Sequence, residues 1–203
     1  MPQSERQPRQ ATLRRRAMIL DAALRCFTRQ GIAGTTIADV RKTSKTSIGS
    51  IYHHFKSKEE LAAALYVFSL ELYQADLIAK LARARKAERG IRTIVEHQLD
   101  WVAGNPARAR FLFTAERPAA QSDAARALSH SNKRFFDRLF EWVEAEMHAG
   151  ALQSLPRDLF LAIVVGPAQT YARSWLEGRQ PTPLARARRA LSDSAWAAVR
   201  AAR

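Results

Sequence analysis

Between Gly31 and Leu61 the chain reads GIAGTTIADVRKTSKTSIGSIYHHFKSKEEL. Its residue types suit recognition better than bond-making. Ser47, Gly49 and Ser50 are small enough for a backbone to come close to a groove wall. Thr46, Ser47, Ser50, Tyr52 and His53 carry hydrogen-bonding groups of the kind that meet base edges and phosphates, and Ile48 fits a thymine methyl. Ile51 and Phe55 would form the opposite, apolar side and pack onto Leu20, Leu24 and Val40. Catalytic patterns are missing: the sequence has no Gly-rich phosphate loop, no HExxH and no GxSxG. The acids are scattered at helical surface spacing; Glu96 and Asp100, for example, are i, i+4. His53 and His54 are neighbours, and neighbours do not share a helix face, so they make a poor metal pair. We expect no enzyme, no cofactor and no metal.

Short helices must hold these residues in place. Leu13, Ala17, Leu20, Leu24 and Phe27 step by 4, 3, 4 and 3, one apolar face of a helix. Gly31 and Gly34 end it. Thr36 with Asp39 is a capping box for a short second helix. The polar run Thr43 to Ser47 interrupts, and Ser47 caps a third short helix to about His54. Ser57 with Glu60 opens a long fourth, striped by Leu61, Leu65, Phe68 and Leu72. The spacing from Thr36 to Phe55 fits a helix-turn-helix.

Helical periodicity continues to the end of the chain. Residues 88–103 place Ile91, Ile94, Val95, Leu99 and Val102 inward. Asn105-Pro106 starts a short helix through Glu116. Ser122 caps a long one to about His148, with Phe136, Leu139, Phe140, Val143 and Met147 inward. Another spans about Arg157 to Glu177 and should kink at Gly166-Pro167. The last runs to Ala202, with Leu184, Ala187, Leu191, Ala195 and Ala198 on one face. The expectation is an all-α chain of about nine helices. Residues 1–12 read as a mobile basic tail, 13–58 as a three-helix helix-turn-helix domain, and 59–203 as a helical effector-binding and dimerisation domain.

Charge points to the same partner. The net charge is +14 over 203 residues, and 47% hydrophobic content is enough for a globular core. Residues 1–58 carry twelve Lys or Arg against three acids, a net +9; the other 145 carry 21 against 16, a net +5. One small module therefore holds most of the polyanion-attracting charge. Cys26 stands alone, which excludes an intrachain disulfide, and it falls on a helical stripe where a small buried side chain is expected. No signal-peptide pattern opens the chain. The longest apolar run, Leu159 to Ala168, is about half a membrane span. The expectation is a cytoplasmic protein that does not meet the membrane.

Residues 31–61 resemble the DNA-binding signature of the TetR family of transcriptional regulators. The resemblance lies in Gly31, Thr35-Thr36, Ile37-Ala38, Ser47, Gly49, Ile51-Tyr52, His54-Phe55 and Lys58-Glu59, with their spacing kept. It implies DNA contacts from Thr36, Lys45, Thr46, Ser47, Ile48, Gly49, Ser50, Tyr52, His53, His54 and Lys58, with Tyr52, His54 and Lys58 gripping phosphates. Arg14, Arg15 and Arg16 could reach flanking phosphates. The chain departs from the family pattern at Lys45-Thr46, where Gly-Val is usual in the turn, and at Arg41, where Ala is common.

The same resemblance implies a homodimer through the last two long helices, a palindromic operator in double-stranded DNA, and repression relieved by an unidentified small-molecule effector held between the middle helices. His97, Trp101, Phe111, Glu116, Tyr171 and Trp175 are the candidate effector residues. A non-specific DNA-packaging protein and a helical interaction protein with a basic face are the competing readings.

Overall fold

The computed structural model describes residues 6–202, with side chains described from Gln10 onward. The chain forms ten helices among these residues: α1 (Arg6–Gly34), α2 (Ile37–Ser44), α3 (Ile48–His54), α4 (Lys58–Leu81), α5 (Ala87–Gly104), α6 (Pro106–Thr114), α7 (Asp123–His148), α8 (Arg157–Val164), α9 (Gly166–Leu176) and α10 (Leu184–Val199). The described residues form no strand, only an isolated antiparallel bridge between Leu152 and Arg200. The fold is all-α. Two compact units divide it. One takes the chain up to Ser69 with Thr114–Leu128; the other takes Leu70–Phe113 with Ser129 to the end. The described residues of 13–58 all lie in the first.

In the first unit α1 buries Ile19, Leu20, Ala22, Ala23, Cys26 and Phe27. Residues 6–12, expected in a mobile tail, are helical; residues 1–5 lie outside the described residues. Leu13, expected on the apolar face, is 59% exposed. The reason is length: α1 has 29 residues, whereas α2 and α3 have eight and seven, so the first turns of α1 outrun the short helices beside them. Gly31 breaks the helical path at φ 74°, a value open to glycine at little cost.

In the second unit Leu77, Ile91, Ile94, Leu99, Leu139, Phe160 and Val199 belong to one buried cluster. The five residues expected to face inward on α5 are all buried. Helix α10 packs chiefly on α5. Its small Ala187, Ser192 and Ala195 let the axes approach. At the rim Arg188 pairs with Glu96 and with Asp100, each at 2.9 Å, and Arg92 pairs with Asp193.

Three expectations need correction. The helix foreseen over 157–177 is broken at Val165 into α8 and α9, because Pro167 has no N–H for the helical ladder. Helix α6 stops at Thr114, short of Glu116. On α4, Leu61 and Leu65 are buried but Phe68 is half-buried and Leu72 is 41% exposed. The apolar stripe lapses where α4 leaves the first unit's core and resumes with Leu77 and Leu81 in the second. By length and composition α4 is apolar enough to cross a membrane. Those four buried leucines show it serving as a core helix.

Candidate nucleic-acid interface

The turn between α2 and α3 is built from local hydrogen bonds. Thr36 caps α2: its Oγ1 accepts from the Asp39 N–H at 3.2 Å, and Asp39 accepts from the Thr36 N–H at 2.9 Å. The Thr36 hydroxyl also donates to the Asp39 carboxylate at 2.7 Å, and this bond, followed by the one from the Thr36 N–H, holds the Asp39 carboxyl below its usual pKa. Gln30 on α1 donates to Asp39 at 3.3 Å and to Thr35 at 3.4 Å. Buried Thr35 donates to the Gly31 carbonyl at 2.7 Å. Helix α2 ends at Lys45, whose φ of 56° and ψ of 29° are left-handed. It is the one non-glycine residue with positive φ among those described. Such a residue stores on the order of 1 kcal/mol of strain. Beside it the hydroxyls of Ser44 and Thr46 meet at 2.7 Å, and Ser44 also donates to the Arg41 carbonyl at 3.3 Å. These contacts close the turn without a glycine.

Ser47 then caps α3, accepting from the Ser50 N–H at 3.1 Å. Helix α3 has two unlike sides. Ile51 and the following Phe55 are almost wholly buried, as are Leu20, Leu24 and Val40. Ile48 is 46% and Tyr52 50% exposed; both are among the few large apolar residues left open. Ser47, Gly49 and His53 are exposed, and Ser50 and Thr46 half so. A Cβ built on Gly49 would meet nothing within 4 Å, so the surface there is clear. The His53 and His54 rings stand edge-on at 5.2 Å. Burial lowers the His54 pKa, aided by the charges of His53, Arg16 and Arg15, so the ring is a neutral hydrogen-bonding group near pH 7. The Arg16 guanidinium lies 5.3 Å from the centre of the Phe55 ring.

Ser57 caps α4 by accepting from the Glu60 N–H at 3.1 Å, and Glu60 accepts from the Lys56 N–H at 2.9 Å. Lys58 is half-buried and donates to the Ala33 carbonyl at 3.1 Å. Its ammonium thus ties α4 to the end of α1 and keeps two protons for another acceptor. Sequence reasoning missed this tie and the Ser44–Thr46 pair. The Lys58 tie spans 25 residues and is fixed only when the helices pack, whereas the Ser44–Thr46 pair is local and depends on the left-handed turn at Lys45.

Residues 19–65 match the family model described as bacterial regulatory proteins, tetR family. That span covers α2 and α3 whole. Over that span the chain is similar to the TetR family.

Relatives resemble the chain at two lengths. The regulator BetI of Paraburkholderia phymatum is 29% identical over 167 residues, 81% of each chain. The regulator TtgR of Pseudomonas putida is 40% identical over 73 residues, 36% of this chain and 32% of that one. Among solved structures, a TetR family regulator from Marinobacter aquaeolei has a TM-score of 0.74 at 17% identity, covering 97% of this chain and all of the other. The regulator FadR from Bacillus subtilis, solved in complex with stearoyl-CoA, has a TM-score of 0.73 at 16% identity, covering 88% of this chain and 96% of that one. Both solved structures share the fold of this chain.

The six expected effector residues are divided between the two units. Glu116 is exposed in the first unit, lining a groove of about 1040 Å³ with Arg16, His54, Lys58 and Arg117. The other five lie in the second unit. There His97 is buried: its Nε2 meets the Tyr73 carbonyl at 3.0 Å, and its Nδ1 meets Lys80 at 3.3 Å. A carbonyl only accepts, so Nε2 carries the proton and the neutral Nδ1 accepts from Lys80. Burial first, and then the Lys80 charge, lowers the His97 pKa, with nearby Asp76 opposing. Tyr73 donates to Gln98 at 2.6 Å and stands edge-on to Trp101 at 5.4 Å. Phe111 is buried, and Tyr171 donates to the Thr182 carbonyl at 2.6 Å. Trp175 is half-buried.

Proposed function

We propose that this protein is a cytoplasmic, sequence-specific repressor that binds a palindromic operator as a homodimer and leaves it when a small molecule binds. One observation carries the reading: α3 buries Ile51 and the adjoining Phe55 while leaving Ile48, Gly49, Ser50 and Tyr52 open. That division gives a recognition helix a fixed back and a free front. Ser47, Ser50 and Tyr52 supply hydrogen bonds, Ile48 a methyl contact, and Thr36 and Lys58 sit at helix starts that favour phosphate. His53, His54, Thr46 and Gly49 complete the face. The excess of positive charge in residues 1–58 steers it to DNA.

A two-fold dimer through α8, α9 and α10 would place two copies of α3 in successive major grooves about 34 Å apart. The effector would bind in the second unit near His97, Trp101, Phe111, Tyr171 and Trp175, and would favour a spacing of the two α3 helices that fits DNA less well. That FadR of the same fold was solved with stearoyl-CoA supports an amphiphilic ligand as a first probe.

Selection of duplexes from a random pool by the purified protein tests the function. A recovered inverted repeat with half-sites about one helical turn apart is expected. Equal retention of all sequences would leave a packaging protein instead, because a regulator prefers its site by roughly 10³-fold or more.

A further inference from the structure

We propose that Gln98 on α5 anchors the effector through a free amide N–H, and that the effector is an apolar small molecule with an uncharged hydrogen-bond acceptor, such as a ketone carbonyl. The inference rests on the effector reading above and adds to it an anchoring residue and the chemistry of the ligand. Gln98 is only 9% exposed. Its Oε1 accepts from the Tyr73 hydroxyl at 2.6 Å. That length suits O–H···O better than N–H···O, so the carbonyl end of the amide faces Tyr73 and the nitrogen is turned away. Burial raises the Tyr73 pKa, so the hydroxyl keeps its proton and acts as the donor. No group accepts from the Gln98 Nε2 among the described residues. Every sealed-in side-chain nitrogen or oxygen among those residues has a partner, so this unpartnered one is open to a small molecule.

The neighbouring polar side chains of the second unit are already spent. His97 uses both ring nitrogens, on the Tyr73 carbonyl and on Lys80. Gln74 accepts from Ser131 at 2.9 Å and donates to Asn132 at 2.7 Å. Tyr171 donates to the Thr182 carbonyl, and Ser192 to the Arg189 carbonyl. Thr93 is buried too, but it shares a face of α5 with Glu96 and Asp100, which pair with Arg188 of α10. Gln98 lies roughly 140° round the helix from it. The setting of Gln98 is apolar. Ile94 and Val102, one turn away on either side, are buried, and Trp101 stands edge-on to Tyr73 at 5.4 Å. An amide donor calls for an acceptor, and the apolar setting calls for a ligand that is otherwise hydrocarbon. The acceptor is uncharged for a physical reason. Lys80, the cation beside His97, is already held by Asp76 at 2.8 Å, and an anion buried on a neutral amide without a counter-charge is costly.

Three probes of similar size test the proposal: acetophenone, ethylbenzene and benzoate, which offer a neutral acceptor, no acceptor and a charged one. Their binding to wild type and to Gln98→Leu is measured by titration calorimetry. The side-chain amide signals of wild type carrying isotope-labelled glutamine are followed by NMR. Wild type is expected to bind acetophenone about fivefold more tightly than ethylbenzene, the worth of one neutral hydrogen bond, and benzoate more weakly than acetophenone. Gln98→Leu should still bind ethylbenzene and should lose the preference for the ketone. One glutamine amide pair should shift with acetophenone and stay in place with ethylbenzene. Equal binding of acetophenone and ethylbenzene by wild type overturns the proposal, as does a preference that survives in Gln98→Leu or a preference for benzoate. Should Gln98→Leu fail to fold, the wild-type amide signals decide: no shift at saturating acetophenone overturns the proposal. If wild type binds none of the three probes, the effector reading fails along with it, and the two failures are told apart.

Discussion

At the scale of single residues the interface depends on which side chains are spared from packing. Tyr52 and Phe55 are three apart on the same short segment, yet one is half exposed and the other almost wholly buried. Their substitutions should therefore part company. Tyr52→Ala is expected to lose selected-site binding while the helical circular dichroism and the melting temperature stay near wild type. Collapse of the helical signal in that variant would make Tyr52 a structural residue. His97 gives a second test, of pH. Its pKa is lowered in the fold, so the unfolded chain binds its proton first as the solution is acidified. The stability it contributes is full above the ordinary value of about 6.5 and is lost as pH falls from there through the lowered folded value. Wild type should lose more stability than His97→Gln between pH 7 and pH 5 in thermal melts. Identical pH profiles would mean that the Tyr73 and Lys80 contacts tolerate a charged ring.

Among elements, glycine placement decides how closely helices pack. Gly90 on α5 faces Trp142 on α7, and a Cβ added there would lie 2.1 Å from the indole Cζ2. No side chain fits without moving the ring. Gly90→Ala should cost about 1–3 kcal/mol by overpacking, read as a lower melting temperature with a shifted tryptophan emission. An unaltered melting point would show that the indole swings aside freely. The capping residues act at the same scale. Thr36, Ser47, Ser57 and Ser122 each accept a backbone N–H at the start of a helix. All four were legible in the sequence because a cap is a local contact, made within three residues of its own position.

For the whole molecule, charge and assembly matter most. With most of the +14 in the first 58 residues, binding to any duplex should weaken steeply as salt rises. Assembly is proposed through the last helices. Leu191 lines a shallow hollow of about 280 Å³ with Ile163, Pro167 and Ala198, on α8, α9 and α10. Leu191→Arg is expected to convert dimers to monomers in sedimentation and to reduce affinity for a two-half-site duplex far more than for a single half-site. A dimer that survives the substitution would move the interface elsewhere.

The sequence by itself determined the all-helical class, the capping boxes and a departure from a straight helix at Gly166-Pro167. Each of these is written in spacings of a few residues. It also determined the module, because α3 alternates small, polar and apolar residues at a helix's own period. Tertiary structure decided what periodicity cannot. Leu13 and Leu72 keep helical spacing yet stay exposed, since burial needs a neighbour at that height along the axis. Lys58 looks like a free phosphate ligand until the end of α1 brings the Ala33 carbonyl beside it. The division of the chain into two units, with Glu116 in the first and the aromatics it was grouped with in the second, is likewise a product of packing.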